Sequence, residues 1–388
     1  MIIAKLILKN WRNFQNIEVG LYHRVFIVGP NASGKSNLLD VFRFLRDIAR
    51  TGGGLQEAVD NRGGVSKIRC LSARIHPDIE IEIHLSDNQR KKIEWRYALG
   101  FTQTGGGLFK TRAKLKFEKV WDSNGQLILN RPDMVDKNDE KLLQYTFLEQ
   151  PNANATFREI ALFLQDIKYL NILPQVLREP GSFIKSSSQE DYLGRNLIER
   201  INKTNANTRK AYLRRIQKAL VSAVPQFEKL ELVKDEMGTP HLQAIYQHWR
   251  PKGAKQWEDQ FSDGTLRLIG FLWALLDGNK PLLLEEPELS LHSGIVNKLA
   301  EIIARLQKKK SGIRRQVILT THSYDLLSNR GIAGEEVLML IPDEEGTIVK
   351  NASDIEEINF LLNSGLSIGD VAIAKTTPKK ASQLSLQF

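Results

Sequence analysis

Gly29-Pro30-Asn31-Ala32-Ser33-Gly34-Lys35-Ser36 sets two glycines, a lysine and a hydroxyl at fixed offsets. That spacing suits the cradling of a polyphosphate. Glycines let the backbone curl until its N–H groups face the phosphates, and a helix starting here aims its positive end at them. In this Walker A pattern Lys35 reaches the β- and γ-phosphates and Ser36 ligates Mg²⁺. Gly29, Asn31, Ala32, Ser33, Gly34 and Asn37 complete the candidate loop, and the expected ligands are ATP and Mg²⁺.

Paired carboxylates end an apolar run at Leu282-Leu283-Leu284-Glu285-Glu286-Pro287-Glu288. This is a Walker B arrangement, in which Glu285 holds Mg²⁺ through water and Glu286 polarises the attacking water. His322 follows a further apolar run, Ile318-Leu319-Thr320-Thr321. Neighbouring strands of a parallel sheet end on one side, so His322 is expected near Glu286 as a sensor of the γ-phosphate. Phe261-Ser262-Asp263-Gly264-Thr265-Leu266-Arg267 opens an apolar helix over 268–276.

These residues need elements to position them. Val25-Phe26-Ile27-Val28 predicts a strand into the first loop, and Leu38, Leu39, Val41, Phe42 and Leu45 recur with helical spacing after it. A glycine-rich turn without a ligand would need neither flank. Residues 1–50 alternate strand and helix patterns as an α/β nucleotide-binding unit does. From 67 to 131 period-two alternation predicts an antiparallel lobe, punctuated at Asp87-Asn88, Gly105-Gly106-Gly107 and Ser123-Asn124-Gly125. Helical spacing holds from about 139 to 227, broken at Leu173-Pro174 and by a polar stretch at 181–188, and strand-like pieces follow at 230–233 and 241–246. The α/β pattern returns beyond Phe261 and runs to about Val349. The nucleotide lobe is thus expected in two halves: 1–131 with the antiparallel subdomain, a mainly helical insertion over 132–255, a second ATPase segment over 256–372, and a flexible tail over 373–388.

A chain of 388 residues supports more than one core, and its 41% hydrophobic and 26% charged residues are those of a globular protein. No apolar run approaches the roughly 20 residues that span a bilayer. Lys5 and Lys9 interrupt the N-terminal segment, which reads as a first strand. Cys70 is the sole cysteine, which excludes an internal disulfide and a cysteine-rich zinc site and suits a reducing cytoplasm. The net charge of +10 favours an anionic partner. Basic residues gather at Arg209, Lys210, Arg214, Arg215 and Lys218, and again at Lys308, Lys309, Lys310, Arg314 and Arg315. They either neutralise nucleic-acid phosphates or form a solvated face. Neither a sustained heptad run nor an internal repeat occurs.

Together with Asn10-Trp11-Arg12-Asn13-Phe14 at the first strand, these motifs resemble the RecF/SMC/OLD-like group of soluble ABC-type ATPases. The resemblance covers about 1–70 and 256–350 by motif and the central insertion by order of elements. It implies an α/β fold: an ABC-type ATPase head with a P-loop core sheet, an antiparallel β lobe and an inserted helical subdomain. It also implies nucleotide contacts from Arg12 and Asn13, a signature loop at Ser262 and Gly264, and a D-loop at Glu288-Leu289-Ser290-Leu291-His292. Arg62-Gly63-Gly64 and the Ser-Asp-Gly-Thr signature resemble the short PtuA-like members, which lack long coiled coils and a fused TOPRIM nuclease. Asp263 and Thr265 stand where transporters have glycine and glutamine, the first Walker B acid is a glutamate, and Gln56 is the candidate Q-loop residue.

In such ATPases the signature loop of one subunit caps the γ-phosphate held by the other, so ATP joins two heads and hydrolysis frees them. The resemblance therefore implies a homodimerising switch in DNA repair or antiphage defence, working on DNA with a separate effector such as a nuclease. The alternatives are a RecF-like recombination mediator or DNA-binding scaffold, and an ATP-dependent nuclease in its own right. Against the last stand the short chain after His322 and the lack of acids at metal-ligand spacing in the tail. Gln383-Leu384-Ser385-Leu386-Gln387-Phe388 resembles a bacterial sliding-clamp-binding hexapeptide. Its other reading is a last strand with Leu384, Leu386 and Phe388 on one face.

Overall fold

A computed structural model describes residues 1–73, 77–87, 90–105, 111–178, 192–249, 253–307 and 315–376. The tail hexapeptide, the polar stretch 181–188, Gly106, Gly107, Asn88, and Lys308, Lys309, Lys310 and Arg314 lie outside the described residues.

In chain order the strands are β1 (Ile2–Trp11), β2 (Phe14–Gly20), β3 (Arg24–Val28), β4 (Ile79–Ser86), β5 (Ile93–Thr104), β6 (Arg112–Trp121), β7 (Leu127–Arg131), β8 (Lys168–Leu170), β9 (Phe227–Lys234), β10 (Pro240–Tyr246), β11 (Ala254–Trp257), β12 (Leu282–Glu285), β13 (Val317–Thr321), β14 (Val337–Asp343) and β15 (Gly346–Asn351). The chain divides into two compact units. Met1–Lys168, Asn279–Leu283 and the described residues from Gln307 onward make the first; Tyr169–Gly278 and Leu284–Leu306 make the second.

In the first unit β2-β1-β4-β5-β6-β7 form an antiparallel sheet. The opening strands therefore join the antiparallel lobe, and of residues 1–50 it is β3 that enters the nucleotide sheet. The side chains explain the division. β1 alternates, with Leu6 and Leu8 buried and Lys5 and Lys9 paired across the wet face to Glu18 and Glu80 at 2.5 and 2.9 Å. Val25, Phe26, Ile27 and Val28 of β3 are all buried, as a strand covered on both faces requires. β3 lies between β13 and β14, parallel to both, in a sheet of order β15-β14-β3-β13-β12-β8.

The helix α1 (Lys35–Ala49) is apolar around much of its circumference, and its Leu38, Leu39, Val41, Phe42, Phe44, Leu45 and Ile48 are at most 1% exposed. A helix buried this way is covered on opposite sides. It packs on β13, and Phe44 meets Trp11 edge-on at 5.1 Å and stacks on Phe101 at 5.5 Å in the antiparallel sheet. Gln316, 1% exposed, ties the sheets by donating to the carbonyls of Ile3 and Tyr22 at 2.7 and 2.9 Å and accepting from Ile3 N–H at 2.9 Å.

A buried ionic cluster secures the segment after β7. Arg131 donates to Glu118 at 3.1 Å and to Asp136 at 2.7 Å, and Glu118 also accepts from the N–H groups of Phe147 and Leu148. Burial pushes the Glu118 carboxyl upward despite these donors.

In the second unit β11-β10-β9 form a small antiparallel sheet against which the helix Ala206–Ala223 packs. Tyr212 of that helix meets Trp273 of the helix Asp263–Leu276 edge-on at 5.5 Å. Within the stretch read as helical, β8 interrupts as a strand. A strand of 3 residues is too short to impose a period on the sequence.

Candidate nucleotide site

The loop between β3 and α1 is held open by backbone geometry. Ala32 and Gly34 have φ of 62° and 98°, the left-handed region that costs little only for glycine. Lys35 folds onto the loop itself, its Nζ donating to the carbonyls of Gly29 and Pro30 at 2.9 and 3.2 Å. The Ser33 hydroxyl is buried and has no hydrogen-bond partner among the described residues, while Asn31, Ala32 and Ser36 are exposed.

Arg12 and Asn13 form the turn between β1 and β2, with Arg12 at φ 50°. The turn is fastened to α1 by Trp11, whose Nε1 donates to the Asn37 carbonyl at 3.0 Å. Asn13 braces the loop: its Nδ2 donates to the Ser33 carbonyl at 2.7 Å and to Thr347 Oγ1 at 2.9 Å, and its Oδ1 accepts from Asn37 Nδ2 at 2.8 Å. Arg12 donates to Asp40 at 2.7 Å, a carboxylate it shares with Arg62 at 2.9 Å. Burial alone would raise the Asp40 carboxyl, but Arg62 and then Arg12 overcome it and hold it below the ordinary aspartate value. Arg62 also pairs with Asp47 at 3.0 Å.

β13 runs parallel to β3 with Thr321 opposite Val28, so exposed His322 emerges at the same sheet edge as Gly29. Gln56, the candidate Q-loop residue, is held by side-chain hydrogen bonds in this unit. Its amide is taken up by Ala113 N–H and carbonyl at 3.1 and 2.8 Å and by the Gln144 carbonyl at 2.9 Å, so it braces the antiparallel lobe.

In the second unit Glu285 ends β12 and accepts a hydrogen bond from the Tyr169 hydroxyl. Glu286 follows at φ 41° and Ser290 at φ 63°, two left-handed non-glycine residues at a sharp bend. A Cβ on Gly264 would stand 2.6 Å from the Ser290 carbonyl oxygen, so only glycine lets the segments around Gly264 and Ser290 approach this closely. Exposed Ser262 caps its helix, accepting from Thr265 N–H at 3.2 Å and sharing a hydrogen bond with Thr265 Oγ1 at 2.9 Å. Arg178 clamps the loop by donating to Asp263 and, at 2.7 Å, to the Phe261 carbonyl. Burial lowers the Arg267 guanidinium, opposed by the carboxylates of Asp263, Glu286 and Glu288.

Residues 24–328 match the protein family described as "AAA domain, putative AbiEii toxin, Type IV TA system". The chain belongs to that family. The ATPase is similar to the Old nuclease of Escherichia phage P2, with 27% identity over 49% of this chain and 36% of the nuclease. It is also similar to the DNA replication and repair protein RecF of Lactobacillus johnsonii, with 33% identity over 24% of this chain and 25% of that protein. It therefore spans about a third and a quarter of the lengths of these curated relatives. In fold it is similar to an SMC head solved bound to the C-winged helix domain of ScpA, at a TM-score of 0.53 and 16% identity, covering 90% of this chain and 98% of that one. It is an ATPase of the RecF/SMC/OLD-like ABC type, similar in part of its length to a nuclease and to a DNA replication and repair protein. Among its described residues no helix is long and apolar enough to cross a membrane.

Sequence reasoning passed over Asp40, Tyr169 and Arg178 in the ATPase. Asp40 carried a readable signal, an acid inside the apolar run of α1 that had to be paired. Tyr169 and Arg178 carried none, because their partners lie 116 and 85 residues away.

Proposed function

We propose that ATP joins two copies of this head and hydrolysis releases them, a switch serving DNA repair or antiphage defence through a separate effector such as a nuclease. What supports this most is the signature segment, where exposed Ser262 stands at the N-terminus of a helix of 14 residues and Gly264 presses on Ser290. A helix N-terminus offers N–H donors and positive potential to an anion. In the joined pair Ser262 and Gly264 of one copy cap the γ-phosphate held by Lys35 of the other.

The donors of the phosphate loop suit a nucleotide: a buried hydroxyl at Ser33 with no partner among the described residues, a cation at Lys35 and an exposed hydroxyl at Ser36; in the second unit Glu285 offers a carboxylate suited to a divalent ion. Gly29, Asn31, Ala32, Gly34 and Asn37 shape the phosphate loop, Arg12 contacts nucleotide, and Asn13 keeps the loop in form. Ser36 of the first unit and Glu285 of the second are assigned as the residues that would hold Mg²⁺, and the ion would supply charge neutralisation at the phosphate oxygens. Glu286 takes up the proton of the attacking water, and His322 hydrogen-bonds the γ-phosphate.

DNA contact is assigned to Lys210, Arg214, Arg215 and Lys218, which are exposed on the helix Ala206–Ala223. Arg209 is engaged with the Asn202 carbonyl at 2.7 Å. The relatives' printed names, a nuclease and a replication and repair protein, agree with a role on DNA. Residues 383–388 are assigned to a sliding clamp, and titration of purified clamp with the tail peptide tests this, absence of binding at high micromolar peptide counting against it.

Light scattering on the Glu286→Gln variant tests the switch, since the amide keeps the shape but cannot take a proton. Turnover is expected to fall by about 10²–10⁴-fold. The variant should be a dimer with ATP and a monomer without it, whereas Lys35→Ala should lose nucleotide binding. A variant that binds ATP yet stays monomeric overturns the proposal.

A further inference from the structure

Glu285 and Tyr169 meet although they come from different strands of the sequence, β12 and β8. The phenol is well placed to hold its partner still. Tyr169 is 6% exposed, and its backbone is pinned on both sides: Lys168 N–H donates to the Pro281 carbonyl at 2.9 Å and Asn171 N–H to the Tyr192 carbonyl at 2.7 Å. The Tyr192 ring stands 5.8 Å from its own. A buried ring on a pinned strand keeps only rotation of its O–H, so its hydrogen bond costs little entropy.

We propose that Tyr169 is a positioning residue for the metal-binding carboxylate, which rests on the reading of Glu285 as an Mg²⁺ ligand. A glutamate at a strand end has three side-chain torsions to fix before it can hold an ion or its water. The Tyr169 hydroxyl fixes one carboxylate oxygen and with it the orientation of the group. The chemistry of the donor matters as much as its place. Arginine or lysine would pair with Glu285 and cancel the charge that attracts a divalent cation, while a neutral phenol orients the carboxylate and leaves its charge intact. Partners of this kind are worth about 10–100-fold in metal affinity or activity.

A double-substitution cycle on the full-length protein, with Mn²⁺ as the probe, tests this. Mn²⁺ affinity is measured by electron paramagnetic resonance in the presence of a non-hydrolysable ATP analogue. Tyr169→Phe should weaken Mn²⁺ binding about tenfold while leaving metal-free nucleotide affinity and melting temperature near wild type. In the Glu285→Gln background the same change should cost nothing more, because the interaction it removes is already gone. If Tyr169→Phe stays within twofold of wild type while Glu285→Gln loses Mn²⁺, Tyr169 has no positioning role and the reading of Glu285 stands. If Glu285→Gln binds Mn²⁺ as wild type does, that reading falls and the proposal with it. An equal loss from Tyr169→Phe in both backgrounds shows a packing effect and also overturns the proposal.

Discussion

Asn13 occupies the space a side chain on Gly34 would need: a Cβ there would stand 2.2 Å from Asn13 Nδ2. The first turn of the chain thus supports the phosphate loop from outside. Asn13→Ala removes donors to the Ser33 carbonyl and Thr347 and an acceptor for Asn37, leaving partly buried groups unsatisfied at about 1–3 kcal/mol. It should weaken ATP binding about tenfold, the equivalent of ~1.4 kcal/mol, as read by calorimetry. Gly34→Ala meets both the clash and the φ of 98° and should abolish binding. Unaltered ATP affinity in Asn13→Ala would show that the loop holds its form unaided.

Ser262→Arg should leave ATP binding by the isolated subunit intact and prevent ATP-driven association. The new cation would stand at the exposed end of the signature helix, where the proposal seats a second subunit's nucleotide. Sedimentation velocity with and without ATP separates the two effects. Dimer formation by this variant counts against the shared site.

Asp40 should give stability a distinct acid dependence. Its carboxyl is held below 3.8, the ordinary aspartate value, so the folded state binds the proton less readily than the unfolded chain. The stability it contributes is complete above that value and is lost as pH falls through its lower, folded value. Asp40→Asn leaves Arg62 and Arg12 without their shared counter-ion and should destabilise by roughly 3 kcal/mol near neutrality. Denaturant midpoints measured from pH 7 to pH 3 should hold a constant gap down to about pH 4 and begin to draw together only below it. A gap that does not change with pH assigns the loss to packing.

Reversing Arg214 and Arg215 to glutamate should weaken DNA binding and flatten its salt dependence. If each contacts one phosphate of duplex DNA, the slope of log K against log salt should lose about 1.8. Both residues are exposed, so melting temperature should hold. A slope equal to wild type places the DNA elsewhere.

Several features of this fold are legible along the chain because their causes are local. The Walker A loop needs glycines and a lysine at set offsets, and the run Val25-Phe26-Ile27-Val28 is uninterrupted because β3 is covered on both faces. The alternation in β1, with Lys5 and Lys9 on one face, equally marks a half-exposed antiparallel strand, so its separation from β3 was written in the residue pattern. Ser262 as a helix cap is likewise a short-range signal, its acceptor lying three residues from the N–H it satisfies.

By itself the sequence determined the glycine- and lysine-bearing loop, the acidic strand end, the serine-capped helix and the ABC-type ATPase class, because each rests on residue types a few positions apart. Tertiary structure alone decided which groups support them. Asn13 meets Thr347 across 334 residues, Tyr169 meets Glu285 across 116, and Arg178 reaches Asp263 across 85. A hydrogen bond between distant segments leaves no period or spacing in either one. It exists only once strand pairing and packing have carried both partners to the same place.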